Sequence, residues 1–187
     1  MRWVPLAILI YVLVVIQTSL LGIVTFEWAG IGPVRPDLMA ILAVYLALYA
    51  RSGTDAMLAA WIMGMAIDLT TGAGPEISTA VGPMALGYAL AAGCIFRLRE
   101  VVFRNSYAAQ GLMAGLFCVL SHGFWVTLQW LVMPGKITAS GYALMLVQAV
   151  LLAVYTGLLM PFGAIGLRRC ERWILSAPSG SARRGRR

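Results

Sequence analysis

The chain has 187 residues, of which 61% are hydrophobic and 11% charged, and its mean hydropathy is +0.87. Soluble domains carry about 25% charged residues, so this composition excludes an ordinary soluble domain and leaves little chain for catalysis in water. The net charge of +7 comes from 14 Lys and Arg against 7 Asp and Glu, nearly all of them placed between long apolar runs.

Six apolar segments predict membrane-spanning helices, since a spanning helix needs about 20 mostly apolar residues. The predicted spans cover residues 3–25, 36–50, 54–70, 77–96, 107–133 and 142–167. The second and third contain uninterrupted apolar runs of only about a dozen residues, a length that also suits a re-entrant hairpin. We favour two short spanning helices joined by the polar turn at residues 51–55.

The distribution of Lys and Arg predicts the orientation. With the N-terminus inside the cell, the outer loops hold only Arg35 and Lys136, and all the other basic residues are cytoplasmic. The predicted fold class is therefore an all-α integral membrane protein, a six-transmembrane-helix bundle with both termini inside, formed by residues 1–175. The Gly-, Ser- and Arg-rich residues 176–187 are expected to form a disordered cytoplasmic tail.

Asp68 lies near the end of the third span, with Gly64 and Gly72 four residues to either side. Residues four apart share a helix face, and glycines on that face let a neighbouring helix approach closely. This spacing predicts that the carboxylate points into the bundle. The alternative is a solvated helix end at the outer surface.

Arg35, Pro36 and Asp37 open the second span. Proline is tolerated in the first helical turn, and Asp near a helix N-terminus suits the helix dipole, so Asp37 has an ordinary capping explanation. A short turn joins the second and third spans, which makes an Arg35–Asp68 ion pair geometrically feasible.

The fourth and fifth spans carry further small and polar residues. Gly87 in the fourth span, and Gly111 and Gly115 in the fifth, predict close helix packing. His122 is the only histidine and has no Cys, His or acidic neighbour at ligand spacing. We therefore interpret it as a hydrogen-bonded bundle residue rather than a metal ligand or a proton carrier. Gln17, Gln129 and Gln148 are expected to face inward.

No motif in the chain indicates catalysis or cofactor binding. It lacks a phosphate-binding glycine loop, a nucleophile motif with a matching histidine and a metal-ligand cluster. We expect no catalytic, cofactor or metal site, and no binding of nucleic acid.

Two local patterns resemble the MreD family of rod shape-determining membrane proteins. One is Arg-Pro-Asp-Leu at residues 35–38, leading into the apolar second span. The other is the Gly-x-x-x-Asp pattern of Gly64 and Asp68, followed by a small-residue helix that ends in Arg97 and Arg99. The resemblance covers roughly residues 3–170.

The resemblance implies a non-enzymatic scaffold of the bacterial cell-elongation machinery in the cytoplasmic membrane. Its expected partners are an MreC-like single-span protein, then MreB, RodA, the elongation transpeptidase and membrane lipids. The alternative is the substrate-binding membrane subunit of an energy-coupling-factor vitamin transporter, which has a similar architecture. That subunit needs a pocket with convergent polar groups, whereas the polar residues here are dispersed along the chain.

Overall fold

The computed structural model describes residues 2–19, 23, 25–28, 30–71, 81–100, 106–132 and 138–174. This part of the chain forms six helices and one small hairpin, so the helical class and the number of helices agree with the prediction. The elements are α1 (Trp3–Ser19), β1 (Phe26–Trp28), β2 (Gly32–Val34), α2 (Leu38–Tyr49), α3 (Gly53–Thr71), α4 (Pro83–Leu98), α5 (Tyr107–Val132) and α6 (Ala139–Ile174).

Helix α2 is the centre of the bundle. Residues 39–48 are all buried, because a helix that is apolar on every side has no face for water and must be surrounded by other elements. Its C-terminus is closed by Arg99, whose Nη1 donates to the carbonyl of Ala50 at 2.5 Å. A guanidinium is well placed there, at the negative end of the helix dipole.

Glycines set the spacing of the surrounding helices. A Cβ atom at Gly64 of α3 would lie 2.6 Å from the Cα of Ala85 in α4, and one at Gly87 of α4 would lie 2.8 Å from the carbonyl oxygen of Ser121 in α5. Gly111 of α5 similarly approaches the backbone of α6. The absence of a side chain at these positions lets successive helices meet backbone to backbone.

The bundle has two ends of different chemistry. At one, here called the basic end, Tyr49 accepts a hydrogen bond from the Nε2 of Gln110 at 3.0 Å, and Arg99 contacts Ala50. The exposed side chains of Arg51, Arg97, Arg168 and Arg169 lie at this end. The other, the hairpin end, carries the β1–β2 hairpin and Arg35.

The hairpin was not predicted. Phe26 pairs with Val34 and Glu27 with Pro33 in antiparallel register, and the turn uses positive φ values of 87° at Gly30 and 96° at Gly32. Gln148 of α6 donates from its Nε2 to the carbonyl of Pro33 at 2.8 Å, which fixes the hairpin against the bundle.

The helix boundaries differ from several of the predicted spans. Helix α1 is described to Ser19, and Thr25, which directly precedes β1, is not helical. Helix α2 begins at Leu38, after its cap, and ends at Tyr49. Helix α4 begins at Pro83 rather than residue 77. The φ of 118° at Gly82 is not helical, so α4 begins after this residue, with Pro83 in its first turn.

Helix α6, at 36 residues, extends beyond the predicted 142–167 at both ends. Helices α5 and α6 are long and apolar enough to cross a membrane, while α1, α2 and α4 are apolar but shorter. At 1.5 Å per residue, the 12 residues of α2 extend about 18 Å. The third span prediction agrees with α3, and the predicted tail at residues 176–187 lies outside the described residues.

Candidate functional site

The candidate site is built around Asp37, which precedes the buried helix α2. Its backbone is extended (φ −103°, ψ 100°), and its Oδ1 accepts from the backbone N–H of Ala40 at 3.1 Å. This is the geometry of an N-cap, in which a side-chain oxygen satisfies one of the free N–H groups of the first turn. The capping role predicted for Asp37 is confirmed.

The second carboxylate oxygen of Asp37 faces two other helices. Its Oδ2 accepts a hydrogen bond from the hydroxyl of Tyr88 in α4, and it lies 3.6 Å from the Nε2 of His122 in α5. Tyr88 is fully buried and packs edge-on against Phe117, with 4.9 Å between the ring centroids. This aromatic contact orients the Tyr88 ring so that its hydroxyl can donate to the Asp37 carboxylate.

Gln17 of α1 and Thr156 of α6 also contact Asp37. The Nε2 of Gln17 in α1 donates to Asp37 Oδ1, and its Oε1 accepts from the backbone N–H of Met39, both at 3.4 Å. The backbone N–H of Asp37 donates to the Oγ1 of Thr156 in α6 at 3.0 Å. One residue therefore connects α2 to α1, α4, α5 and α6.

His122 is held by its own helix as well. Its Nδ1 lies 3.2 Å from the carbonyl oxygen of Cys118 and 3.3 Å from the Oγ of Ser121. The prediction of a hydrogen-bonded bundle residue agrees with these contacts. Asp37, the N-cap of α2, also approaches the ring, and the local sequence around His122 does not reveal this acidic neighbour.

A cavity of about 570 Å³ lies between this cluster and the hairpin. Gln17, Asp37 and His122 line it, together with Trp125 and Gln148. Its volume is within the range of about 300–1,000 Å³ that is usual for ligand pockets. The polar groups that are dispersed along the chain thus converge on one concave surface, which corrects the expectation drawn from the sequence.

Asp68 of α3 caps the N-terminus of α4. Its side chain is buried, and its Oδ2 accepts from three backbone N–H groups that open α4, those of Gly82 at 2.9 Å, Met84 at 3.1 Å and Ala85 at 3.2 Å. Inward burial was predicted and is confirmed. The carboxylate accepts hydrogen bonds from N–H groups that have no partner within the first turn of a helix.

The feasible Arg35–Asp68 pair does not form between these two described residues. Asp68 is occupied by the N-terminus of α4, and Arg35 is exposed on the wall of the cavity. Gly64 gives the close approach expected of it, whereas Gly72 lies outside the described residues.

The remaining predicted residues are packing positions. A Cβ at Gly111 would lie 2.8 Å from the carbonyl oxygen of Gly157 in α6, and one at Gly115 would lie 3.6 Å from that of Ala153. Gly87 contacts the backbone of α5, as given above. Where the structure describes the chain, no three His, Cys, Asp or Glu side chains are grouped as metal ligands would be.

In comparisons with family models, with curated proteins and with solved structures, the chain matched none. Its function is therefore inferred from its own residues and from the resemblance that two of its sequence patterns carry.

Proposed function

We propose that this chain is a non-enzymatic, multi-pass scaffold of the bacterial cell-elongation machinery, located in the cytoplasmic membrane. Besides the two long apolar helices, the outer faces of the bundle support insertion. Leu112, Leu158 and Phe162 are each about 70% exposed, and they are part of a larger apolar surface. Soluble monomers rarely expose contiguous apolar surface on this scale, whereas lipid chains cover it without penalty.

The charge asymmetry supports an orientation with both termini in the cytoplasm. Arg51, Arg97, Arg168 and Arg169 are exposed at the basic end, while Arg35 is the described basic residue of the hairpin end. Cytoplasmic segments are enriched in Lys and Arg. The basic end is thus cytoplasmic, and the cavity opens toward the outer side.

The observation that most supports the scaffold role is that both buried carboxylates are hydrogen-bonded to neighbouring helices. Asp37 is surrounded by donors from other helices, and Asp68 by the backbone of α4. A catalytic acid needs a carboxylate oxygen that is free for its substrate, whereas the oxygens of these two acids already accept hydrogen bonds that join helices, even though Asp37 lines the cavity. A protein whose buried acids serve assembly acts through the surfaces that the assembly presents.

The resemblance to MreD proteins supports the proposed cellular system. The two acids of the resembling patterns, Asp37 and Asp68, are the two that join helices, so these patterns correspond to the assembly of the bundle. An MreC-like single-span protein is the proposed direct partner. MreB, RodA and the elongation transpeptidase are proposed as indirect partners that this protein connects to the bundle.

The cavity favours a second candidate function. Gln17, His122 and Gln148 converge on a volume large enough for a small ligand, which suits the substrate-binding subunit of an energy-coupling-factor vitamin transporter. Such a subunit would load its substrate from the outer side.

Depletion in the source bacterium separates the two functions. A scaffold predicts that rod-shaped cells become round or swollen while vitamin uptake remains normal. Normal shape combined with loss of uptake of one vitamin would overturn the scaffold in favour of the transporter.

A further inference from the structure

A second depression, here called the apolar groove, runs between α1 and α3. It has a volume of about 400 Å³. Leu6, Ile10 and Val14 of α1 line one side, and Ile62, Ala66 and Thr70 of α3 line the other. In α1, only Leu6 and Ile10 are buried, so this helix is attached to the bundle by a narrow contact. A groove of this kind in a membrane protein faces lipid.

The apolar groove is continuous with the cavity at Asp37. Val14 and Thr70 line both. The two spaces differ in chemistry, since the groove is bordered almost entirely by apolar side chains, whereas glutamines, His122 and Arg35 border the cavity. An occupant of the combined space must therefore be apolar along one part and polar at the other.

Arg35 gives the polar part a charge preference. It is exposed on the cavity wall and is the only Lys or Arg among the lining residues described. The carboxylate of Asp37 is buried, and its oxygens are directed at Tyr88, Gln17 and Ala40, so Arg35 is the charged side chain that is exposed to an occupant of the cavity. A guanidinium and neutral amide donors are groups that bind a phosphate ester.

We propose that one phospholipid binds here, with an acyl chain in the apolar groove and its phosphate in the cavity beside Arg35. From Leu6 to Val14 the groove follows α1 for about 12 Å, at 1.5 Å per residue, which gives an acyl chain a continuous apolar path. The lipid fills the gap between α1 and α3 and joins α1 to the rest of the bundle. This site rests on the proposed membrane insertion and is independent of the scaffold role.

The test uses the full chain, purified in mild detergent, stripped of lipid and titrated with phosphatidylglycerol under native mass spectrometry. We expect one lipid to bind per chain. Ala7→Phe, at an exposed position that lines the groove, should abolish this binding, whereas Ala143→Phe, an equal change at an exposed position of α6, should leave it intact. Arg35→Gln should weaken binding about tenfold through loss of a charge-assisted hydrogen bond, whereas Arg169→Gln should not.

Two outcomes would overturn the proposal. Equal lipid binding by Ala7→Phe and Ala143→Phe would mean that only annular lipid is present. Saturable binding of inorganic phosphate that Arg35→Gln removes, with no retention of phosphatidylglycerol, would mean a site for free anions. Ala66→Phe, which fills the same groove from α3, provides a second blocking variant if Ala7→Phe fails to fold. Neither result bears on cell shape, so failure of this site is distinguishable from failure of the scaffold.

Discussion

Asp37 contacts four other helices because its polar atoms point to different neighbours. Oδ1 accepts from α1 and from the first turn of α2, Oδ2 faces α4 and α5, and the backbone N–H reaches α6. A buried carboxylate is tolerated only when such donors surround it. Removal of one donor should therefore destabilise the bundle by more than the lost contact alone.

We expect Tyr88→Phe to lower the free energy of unfolding by about 1–3 kcal/mol, because Asp37 would lose its buried hydroxyl donor. Tyr11→Phe removes the same hydroxyl from a side chain that is 70% exposed and should change stability little. Thermal unfolding of the two purified variants in detergent measures the difference. Equal midpoints would show that the Tyr88 hydroxyl does not stabilise the carboxylate.

A similar comparison applies to Asp68. Asp68→Ala leaves three N–H groups of α4 without their acceptor and should reduce the amount of folded protein in membranes. Asp68→Asn keeps an oxygen acceptor and should be milder, and Glu100→Ala, which changes an exposed acid, should behave as wild type. Equal levels of all three would mean that the cap contributes nothing measurable.

The local features of this site could be predicted from the sequence. Pro36 and Asp37 before an apolar run indicate a capped helix start, and the Gly64–Asp68 spacing indicates an inward carboxylate. The convergence on Asp37 could not be predicted, because Tyr88 and Thr156 are 51 and 119 positions away in the chain. Contacts at such separations depend on how the helices pack, which no local pattern specifies.

The start of α5 was predictable because the polar residues Arg104, Asn105 and Ser106 directly precede its apolar run. Helix α5 begins at the predicted residue 107 and is described to Val132, one residue short of the predicted end. For α4, the apolar run from residue 77 predicts an early start, whereas Gly82 and Pro83 indicate a kink or a helix start, and the helix begins at Pro83. The hairpin was missed because strands of three residues are too short to show an alternating pattern.

Helix packing gives a matched test of two glycines. Gly64→Ala would place a Cβ 2.6 Å from the Cα of Ala85, so α3 and α4 must separate and stability should fall. A Cβ at Gly123 of α5 meets nothing within 4 Å, and Gly123→Ala should stabilise by up to about 1 kcal/mol through helix propensity. Chemical denaturation of both variants in detergent measures these opposite signs. A loss of stability at Gly123 as large as that at Gly64 would contradict close approach as the cause.

For the whole molecule, the distribution of charge determines the expected topology. Reporter fusions after Arg51 and at the C-terminus should read cytoplasmic, and fusions within the hairpin or at Thr138 should read external. An external signal at Arg51, with its neighbours unchanged, would mean that α2 and α3 do not cross the membrane as a pair.

The proposed scaffold acts by binding a single-span partner of the elongation machinery. The most direct measurement is affinity purification of the tagged full chain from membranes of the source bacterium, followed by mass spectrometry of the proteins retained. We expect an MreC-like protein with one membrane helix in near-equal amount, retained by wild type and reduced with Gly64→Leu, which disrupts the packing of α3 on α4. Retention of an energy-coupling ATPase module, with no MreC-like protein present, would contradict the claim.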